Sequence, residues 1–197
     1  MNNLKDRLSH AVAPGGRPTS DYDLNADVEL PAGRKLTPAA VLVAVTAYSD
    51  RPELLLTKRS SRLSHHPGQI AFPGGKQDPT DADATATALR EAEEEVGLPD
   101  MITMTVGTMD PHETVTGFLI TPVIALVRSP FDPVPETGEV EEVFRVPLDH
   151  VLDPTAFQVQ SRRWRGRRRF YYAVPWGPYY IWGATARILR AIADRVT

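Results

Sequence analysis

The chain has no cysteine. Disulfides and thiolate metal sites are therefore excluded, and a cytoplasmic location fits that absence. It also has no apolar run approaching the roughly 18 residues needed to cross a bilayer, so no membrane partner is expected. Met1 to His10 is polar and charged and lacks the apolar stretch of a secretory signal. Nor is there an excess of base: the formal net charge is −3, which disfavours nucleic acid as a general partner. No internal repeat or low-complexity segment interrupts the chain. What remains, 197 residues of which 42% are hydrophobic and 24% charged, suits a globular chain that can bury a core without staples.

The charge is unevenly spread. Acid gathers at Glu91–Glu95 and Glu136–Glu142, and base gathers at Arg162–Arg169. Residues 1–37 read as an N-terminal arm that can hold a short helix, Asn3 to Val12, followed by a Pro/Gly/Asp-rich surface stretch from Pro14 to Pro38. Ala39 to Tyr48 is a continuous valine-rich apolar run, the mark of a strand buried on both faces. Glu53 to Lys58 is expected as its hairpin partner, then a loop over 59–69 and a short strand at Ile70-Ala71-Phe72 that Pro73-Gly74-Gly75 breaks. Asp81 or Asp83 can cap a helix that runs to Val96, where Gly97 and Pro99 stop it. Strands are expected at 103–109, 118–127 and 143–147, a helical turn near Leu148–Leu152, a hairpin over 157–174, a last strand at Tyr179–Trp182 and an amphipathic helix from Gly183 to Arg195. The fold class is thus α/β (α+β): a mixed sheet with helices on both sides, and a main domain over 38–197.

The helix over Asp83–Val96 carries the chemistry. At about 100° per residue, Glu91, Glu94 and Glu95 share one sector, and Ala88, Leu89, Ala92 and Val96 fall on the adjoining one. Glu93 points elsewhere. A charge run usually means a solvated face, but like charges at i,i+4 cost a helix roughly 0.2–0.5 kcal/mol per pair. These glutamates also stand near the helix C-terminus, the wrong end for anions. Of the three, only Glu94 has a basic neighbour one turn away, Arg90. A hard divalent cation with oxygen ligands would neutralise the face. Two glycines in Phe72-Pro73-Gly74-Gly75-Lys76, just upstream, permit close backbone approach, and the Gly75 carbonyl could complete an oxygen set.

Gly75 to Leu98, GKQDPTDADATATALREAEEEVGL, resembles the Nudix box, G-x5-E-x7-R-E-U-x-E-E-x-G-U, where U is bulky aliphatic. Arg90, Glu91, Glu94, Glu95, Gly97 and Leu98 fit its second half. The first half is one residue longer, and Asp81 stands where the pattern has its first Glu. Upstream, Leu55 to Gly75 (LLTKRSSRLSHHPGQIAFPGG) is similar to a signature of the coenzyme A pyrophosphatase branch, L-L-T-x2-S-x3-R-x3-G-x3-F-P-G-G. Ser64 departs from it, because that pattern has Arg there. Tyr180 to Ala186 also looks like that branch.

The resemblance implies a Nudix-type α/β/α sandwich and metal-dependent hydrolysis of the diphosphate of coenzyme A or a derivative, to 4′-phosphopantetheine and 3′,5′-ADP. Another nucleoside diphosphate derivative, such as ADP-ribose or a dinucleotide, or a non-catalytic nucleotide-binding domain, are the alternatives. The implied metal is Mg²⁺ or Mn²⁺, on Glu91, Glu94, Glu95 and the Gly75 carbonyl, with Arg90 orienting Glu91. A small-molecule nucleotide is the implied partner, and a homodimer is compatible with the family. Glu91 is one candidate general base; Glu136, Glu139, Glu141 and Glu142 supply others, although most of that loop reads as a solvated acidic face.

Arg59, His66 and Gln69 are candidates to contact substrate. His65 and His66 are not spaced like a zinc pair. The arginines at 162–169 read as a solvated hairpin tip, with attraction of an anionic substrate as the alternative. Strand alternation sends those side chains to opposite faces, against a nucleic-acid platform built with Trp164, Phe170, Tyr171 and Tyr172. Tyr179, Tyr180 and Trp182 are expected to pack the last helix onto the sheet.

Overall fold

The computed structural model describes residues 2–28, 33–164 and 166–196. Among them, nine strands form one sheet and two more form a separate ribbon. The central strand is β2, Thr37–Thr46. Its apolar run has no polar alternation because both faces are covered. Val43 and Val45 enter one core, while Ala40, Leu42 and Ala44 enter the other. β3 (Glu53–Arg59) splits in the same way, with Leu54 and Leu56 on one side and Leu55 on the other. So does β8 (Phe118–Val127), which pairs in parallel with β2 over its whole length.

Helix α2 (Ala84–Val96) covers one face through Ala88, Ala92 and Val96. The other face is covered by α1 (Asn2–Val12), α3 (Leu148–Val151) and α4 (Ala184–Val196). This is the expected α/β/α sandwich. Both ends of α2 follow local rules. The Asp83 carboxylate accepts from the Ala86 N–H at 2.9 Å, and Gly97 turns the chain off the helix at φ 66°.

Pairings between distant segments depart from the sequence reading. β3 meets β2 at one register pair, Val45↔Leu54, and runs its length against β9 (Val140–Pro147) instead. The reason lies on the shared edge of β2, whose first half pairs with β5 (Gly74–Lys76). The Pro73-Gly74-Gly75 break is therefore also the start of a short strand. Tyr179–Trp182 is not a strand: it makes two isolated bridges, Trp176↔Tyr179 and Ala173↔Trp182. Pro175 and Pro178 remove the donors that a longer ladder would need.

The N-terminal stretch does not lie loose on the surface. Leu8 and Ala11 of α1 are buried in the core. Thr19–Ser20 (β1) pairs in parallel with His112–Glu113 (β7). Buried His112 joins this staple, with Nδ1 2.9 Å from Thr19 Oγ1 and Nε2 3.3 Å from Asp21 Oδ1. Asn25 behaves as one rung of a strand: its Oδ1 accepts from Phe170 N–H at 2.9 Å and its Nδ2 donates to Phe170 O at 3.0 Å. Residues 29–32 of the expected arm lie outside the described residues.

Truncating Leu8 to Ala should therefore cost about 2–5 kcal/mol in urea unfolding, as for a core leucine. A cost within about 0.5 kcal/mol would mean that α1 is an ornament on the surface.

Candidate active site

Four segments meet at the acidic end of α2. One is the last turns of the helix itself. The second is the Gly74–Gly75 turn into β5, and the third is the end of β3 at Arg59. The fourth is the loop over 131–139, whose backbone caps the helix: Val134 N–H donates to Val96 O at 3.0 Å and Glu136 N–H to Glu95 O at 2.9 Å. Orphan carbonyls at the helix C-terminus are satisfied this way, and the acidic loop is drawn to the site.

Arg90 organises one side. Its Nε and Nη2 make a two-pronged contact with the Asp81 carboxylate, both at 3.0 Å. It also reaches Glu91 at 3.0 Å, Glu94 at 2.9 Å and the Lys76 carbonyl at 3.3 Å. The Asp81 carboxylate takes further bonds from Asp78 N–H and Thr87 Oγ1, each at 2.9 Å. The Arg90 bond and these donors hold Asp81 well below the usual carboxylate range, and Asp81 holds the guanidinium firmly protonated. Asp81 thus has a definite task where the box pattern is irregular: it anchors Arg90. The cap belongs to Asp83.

The three glutamates differ. Glu94 is exposed and paired to Arg90. Glu91 is largely covered, and burial raises its pKa against the pull of Arg90, with Glu94 and Glu139 adding to the rise. Glu95 is 4% exposed. Its hydrogen bond comes from Gly74 N–H at 3.1 Å, and burial pushes its carboxyl up to about 7. The Gly74 bond and the charge of Arg59 oppose that rise, and Glu91 and Glu139 reinforce it. So Arg90 relieves the charge on Asp81, Glu91 and Glu94, and Glu95 alone of the three glutamates lacks a cation in contact. Glu93 is exposed, as expected.

Gly75 lies against Glu91: a Cβ there would stand 2.5 Å from Oε2. The space is thus reserved for a carboxylate beside backbone. As arranged, among the described residues no three His, Cys, Asp or Glu side chains converge closely enough to hold an ion. The donors are nevertheless of the right kind for a hard cation, and a buried carboxylate without a cation partner is what such an ion would satisfy.

Of the expected substrate contacts, Arg59 is half-buried and its charge reaches Glu95. Gln69 is also half-buried, and its backbone carbonyl accepts from Arg59 N–H at 2.9 Å. His66 is exposed and has φ 54°. It serves the turn, with its carbonyl accepting from Gln69 N–H. In the acidic loop, three of the four candidate bases have other partners. Glu141 meets Lys58 at 2.6 Å, Glu142 accepts from Tyr179 Oη at 2.6 Å, and Glu136 accepts from Glu139 N–H at 2.8 Å. Glu139 is exposed, and its charge is felt by both Glu91 and Glu95.

A NUDIX domain model matches residues 36–167. The chain is 39% identical over 158 residues to the Uncharacterized Nudix hydrolase NudL of Enterobacter sp. (strain 638), covering 80% of this chain and 82% of that protein. Its identity to the protein of the same name from Escherichia coli (strain K12) is also 39% over 158 residues, with the same coverage of both chains. Among solved structures, the Nudix hydrolase RenU of M. smegmatis is similar at a TM-score of 0.50 and 26% identity, over 62% of this chain and 84% of that one. The chain belongs to the Nudix family, and it is a hydrolase of that family's pyrophosphatase kind.

The two glycines should separate cleanly on substitution. Gly74→Ala puts a Cβ 2.4 Å from the Ala40 carbonyl at a backbone φ of 155°, where only backbone could yield. It should lower stability by roughly 1–3 kcal/mol. Gly75→Ala first meets the movable carboxylate of Glu91. Thermal unfolding should change little while hydrolysis falls at least about tenfold through misplacement of that group. Equal effects of both changes on stability would refute the distinction.

Proposed function

We propose that the enzyme hydrolyses the diphosphate bond of coenzyme A or a derivative, giving 4′-phosphopantetheine and 3′,5′-ADP. Glu91, Glu94, Glu95 and the Gly75 carbonyl would hold Mg²⁺ or Mn²⁺. The observation that carries the metal half of this reading is Glu95, a buried carboxylate with one backbone hydrogen bond and no cation in contact. The choice of coenzyme A is supported by the Leu55–Gly75 signature. Both ends of that segment adjoin Glu95: Arg59 through its charge, and Gly74 through its N–H.

A bound divalent ion would neutralise the diphosphate and lower the pKa of a coordinated water. The chain's own groups do the rest. Arg90, locked by Asp81, positions Glu91 and Glu94 on the helix face. Arg59, whose charge reaches Glu95, can meet a substrate phosphate oxygen. Glu139, with Glu136 tied to the backbone and Glu141 and Glu142 paired elsewhere, is the loop group free to take a proton from the attacking water. The water oxygen then bonds one phosphorus, the bridging P–O bond breaks, and the leaving phosphate oxygen carries the electron pair away. Gln69 and His66, in the loop over 59–69, are the further candidates to contact substrate. The enzyme would work in the cytoplasm on a soluble nucleotide.

A panel of coenzyme A, ADP-ribose, diadenosine polyphosphates and dNTPs, incubated with Mg²⁺ or Mn²⁺ and resolved by chromatography, tests the substrate. Coenzyme A should be cleaved most efficiently, and chelation by EDTA should abolish turnover. A marked preference for ADP-ribose would end the coenzyme A reading. Glu95→Gln should cost at least about 100-fold in turnover with unfolding unchanged, since lost charge stabilisation is worth several kcal/mol. Near-normal activity in that variant would remove Glu95 from the site.

A further inference from the structure

The segment from Tyr179 to Thr185 is tied down beside the loop over 59–69 at three points. Tyr179 Oη donates to Glu142 at 2.6 Å, and its ring is stacked on Phe144 with centroids 3.6 Å apart. Gln69 Nε2 lies 3.7 Å from where a Cβ of Gly183 would be. Thr185 Oγ1 donates to the Ile70 carbonyl at 3.0 Å. Glu142 and Ile70 are the two register partners of Lys58, one on each side of β3. The segment therefore crosses the end of β3 one residue short of Arg59. It does so on the α4 face of the sheet, where Ile181 is buried in the core.

Within this fixed segment, Tyr179 and Ile181 pack inward. Tyr180 and Trp182 do not follow them. Tyr180 is 44% exposed, and its hydroxyl lies 3.4 Å from that of Tyr171. Trp182 is half-buried and borders the ribbon of β10 (Gln158–Trp164) and β11 (Arg167–Ala173), where it is bridged to Ala173. Tyr171 tilts against its ring at 5.1 Å. The Arg162 guanidinium lies over the same ring, 4.3 Å from its centre. Arg162 is itself exposed, so the face of the guanidinium turned away from Trp182 meets solvent. Arg165 and the side chain of Trp164 lie outside the described residues.

This patch offers flat surfaces, an exposed phenol ring and a guanidinium plane fixed from below by indole. Surfaces of that kind take up a planar heteroaromatic base, by stacking on aromatic rings and on guanidinium planes alike. A flexible pantetheine chain has no plane to present to them. A substrate whose diphosphate lies at Arg59 and the carboxylates reaches the patch by passing over the end of β3 along Gln69.

We propose that Tyr180 and the Trp182-backed guanidinium of Arg162 form a stacking subsite for the nucleobase of the substrate. It rests on the reading of the substrate as a nucleoside diphosphate derivative. It does not need that derivative to be coenzyme A, since ADP-ribose and diadenosine polyphosphates carry the same adenine.

Calorimetric titration of the full chain with ADP and with 4′-phosphopantetheine, each with Mg²⁺, tests it. Tyr180→Ala should weaken ADP about tenfold or more, within the range that a stacked base contributes. Tyr180→Phe keeps the ring and should keep the affinity. Arg162→Ala should weaken ADP as well, whereas Arg163→Ala, on the other face of the ribbon, should not. ADP should quench tryptophan emission in the wild type, and Trp182→Phe should remove that signal. Binding of 4′-phosphopantetheine should be the same in every variant. Unchanged ADP affinity in Tyr180→Ala or Arg162→Ala, an equal loss for 4′-phosphopantetheine, or no binding of ADP by the wild type overturns the subsite. The substrate panel judges coenzyme A separately: a chain that cleaves ADP-ribose instead ends that choice and leaves the ADP result to decide on the base.

Discussion

A buried carboxylate is the constraint around which this end of the molecule is built. Glu95 sits where α2, the Gly74 turn and the 131–139 loop touch. It gives its backbone carbonyl to Glu136 N–H and takes Gly74 N–H on its side chain. Leaving an ionised group in such a place is costly unless it is paired or takes up a proton, and its pKa near 7 reflects that cost. The neighbouring acids are relieved differently. Arg90 reaches Asp81, Glu91 and Glu94 at once, so one cation is shared by three anions. What lies beyond Arg90's reach is the charge at Glu95, and that remainder is what gives a divalent ion its place in the proposed chemistry.

The scaffold explains why these groups can be held so tightly. β2, β3 and β8 are buried on both faces, so their registers are fixed by two cores rather than one. The Gly74 turn hangs from β2 through β5, and Arg59 ends β3 where its pairing with β9 shifts register. Two of the four segments at the site are therefore extensions of the most rigid strands. The N-terminal residues brace the far side. β1 staples to β7, and Asn25 completes the edge of β11, so a stretch with almost no regular structure positions the ribbon.

Much of this was legible in the sequence because it is local. Strand burial shows as an unbroken apolar run, the α2 boundaries as Asp81 or Asp83 at one end and Gly97 at the other, and the shared sector of Glu91, Glu94 and Glu95 as helical spacing. Non-local choices were not legible. The expected pairing of β3 with β2 is present at Val45↔Leu54, but nothing near β3 says that most of its length lies against β9. The Pro and Gly content of residues 14–28 suggests a loose surface stretch, yet Thr19 and Asn25 are buried by contacts with residues more than 90 positions away. The role of Asp81 was hidden for the same reason: it appears as a misfit in a pattern until Arg90 and Thr87 are seen around it. The four acidic residues at 136–142 look alike in sequence, and their pairings in space separate them.

The distribution of positive charge bears on the irregular position at Ser64. The branch signature has an arginine there, in a loop that is exposed in this fold. A guanidinium on an exposed loop is a weak anchor, because each phosphate contact must first order a long side chain. On the coenzyme A reading, Ser64 therefore forgoes only a weak anchor, and Arg59, half-buried and with its charge already reaching Glu95, is the loop cation better placed to meet a substrate phosphate.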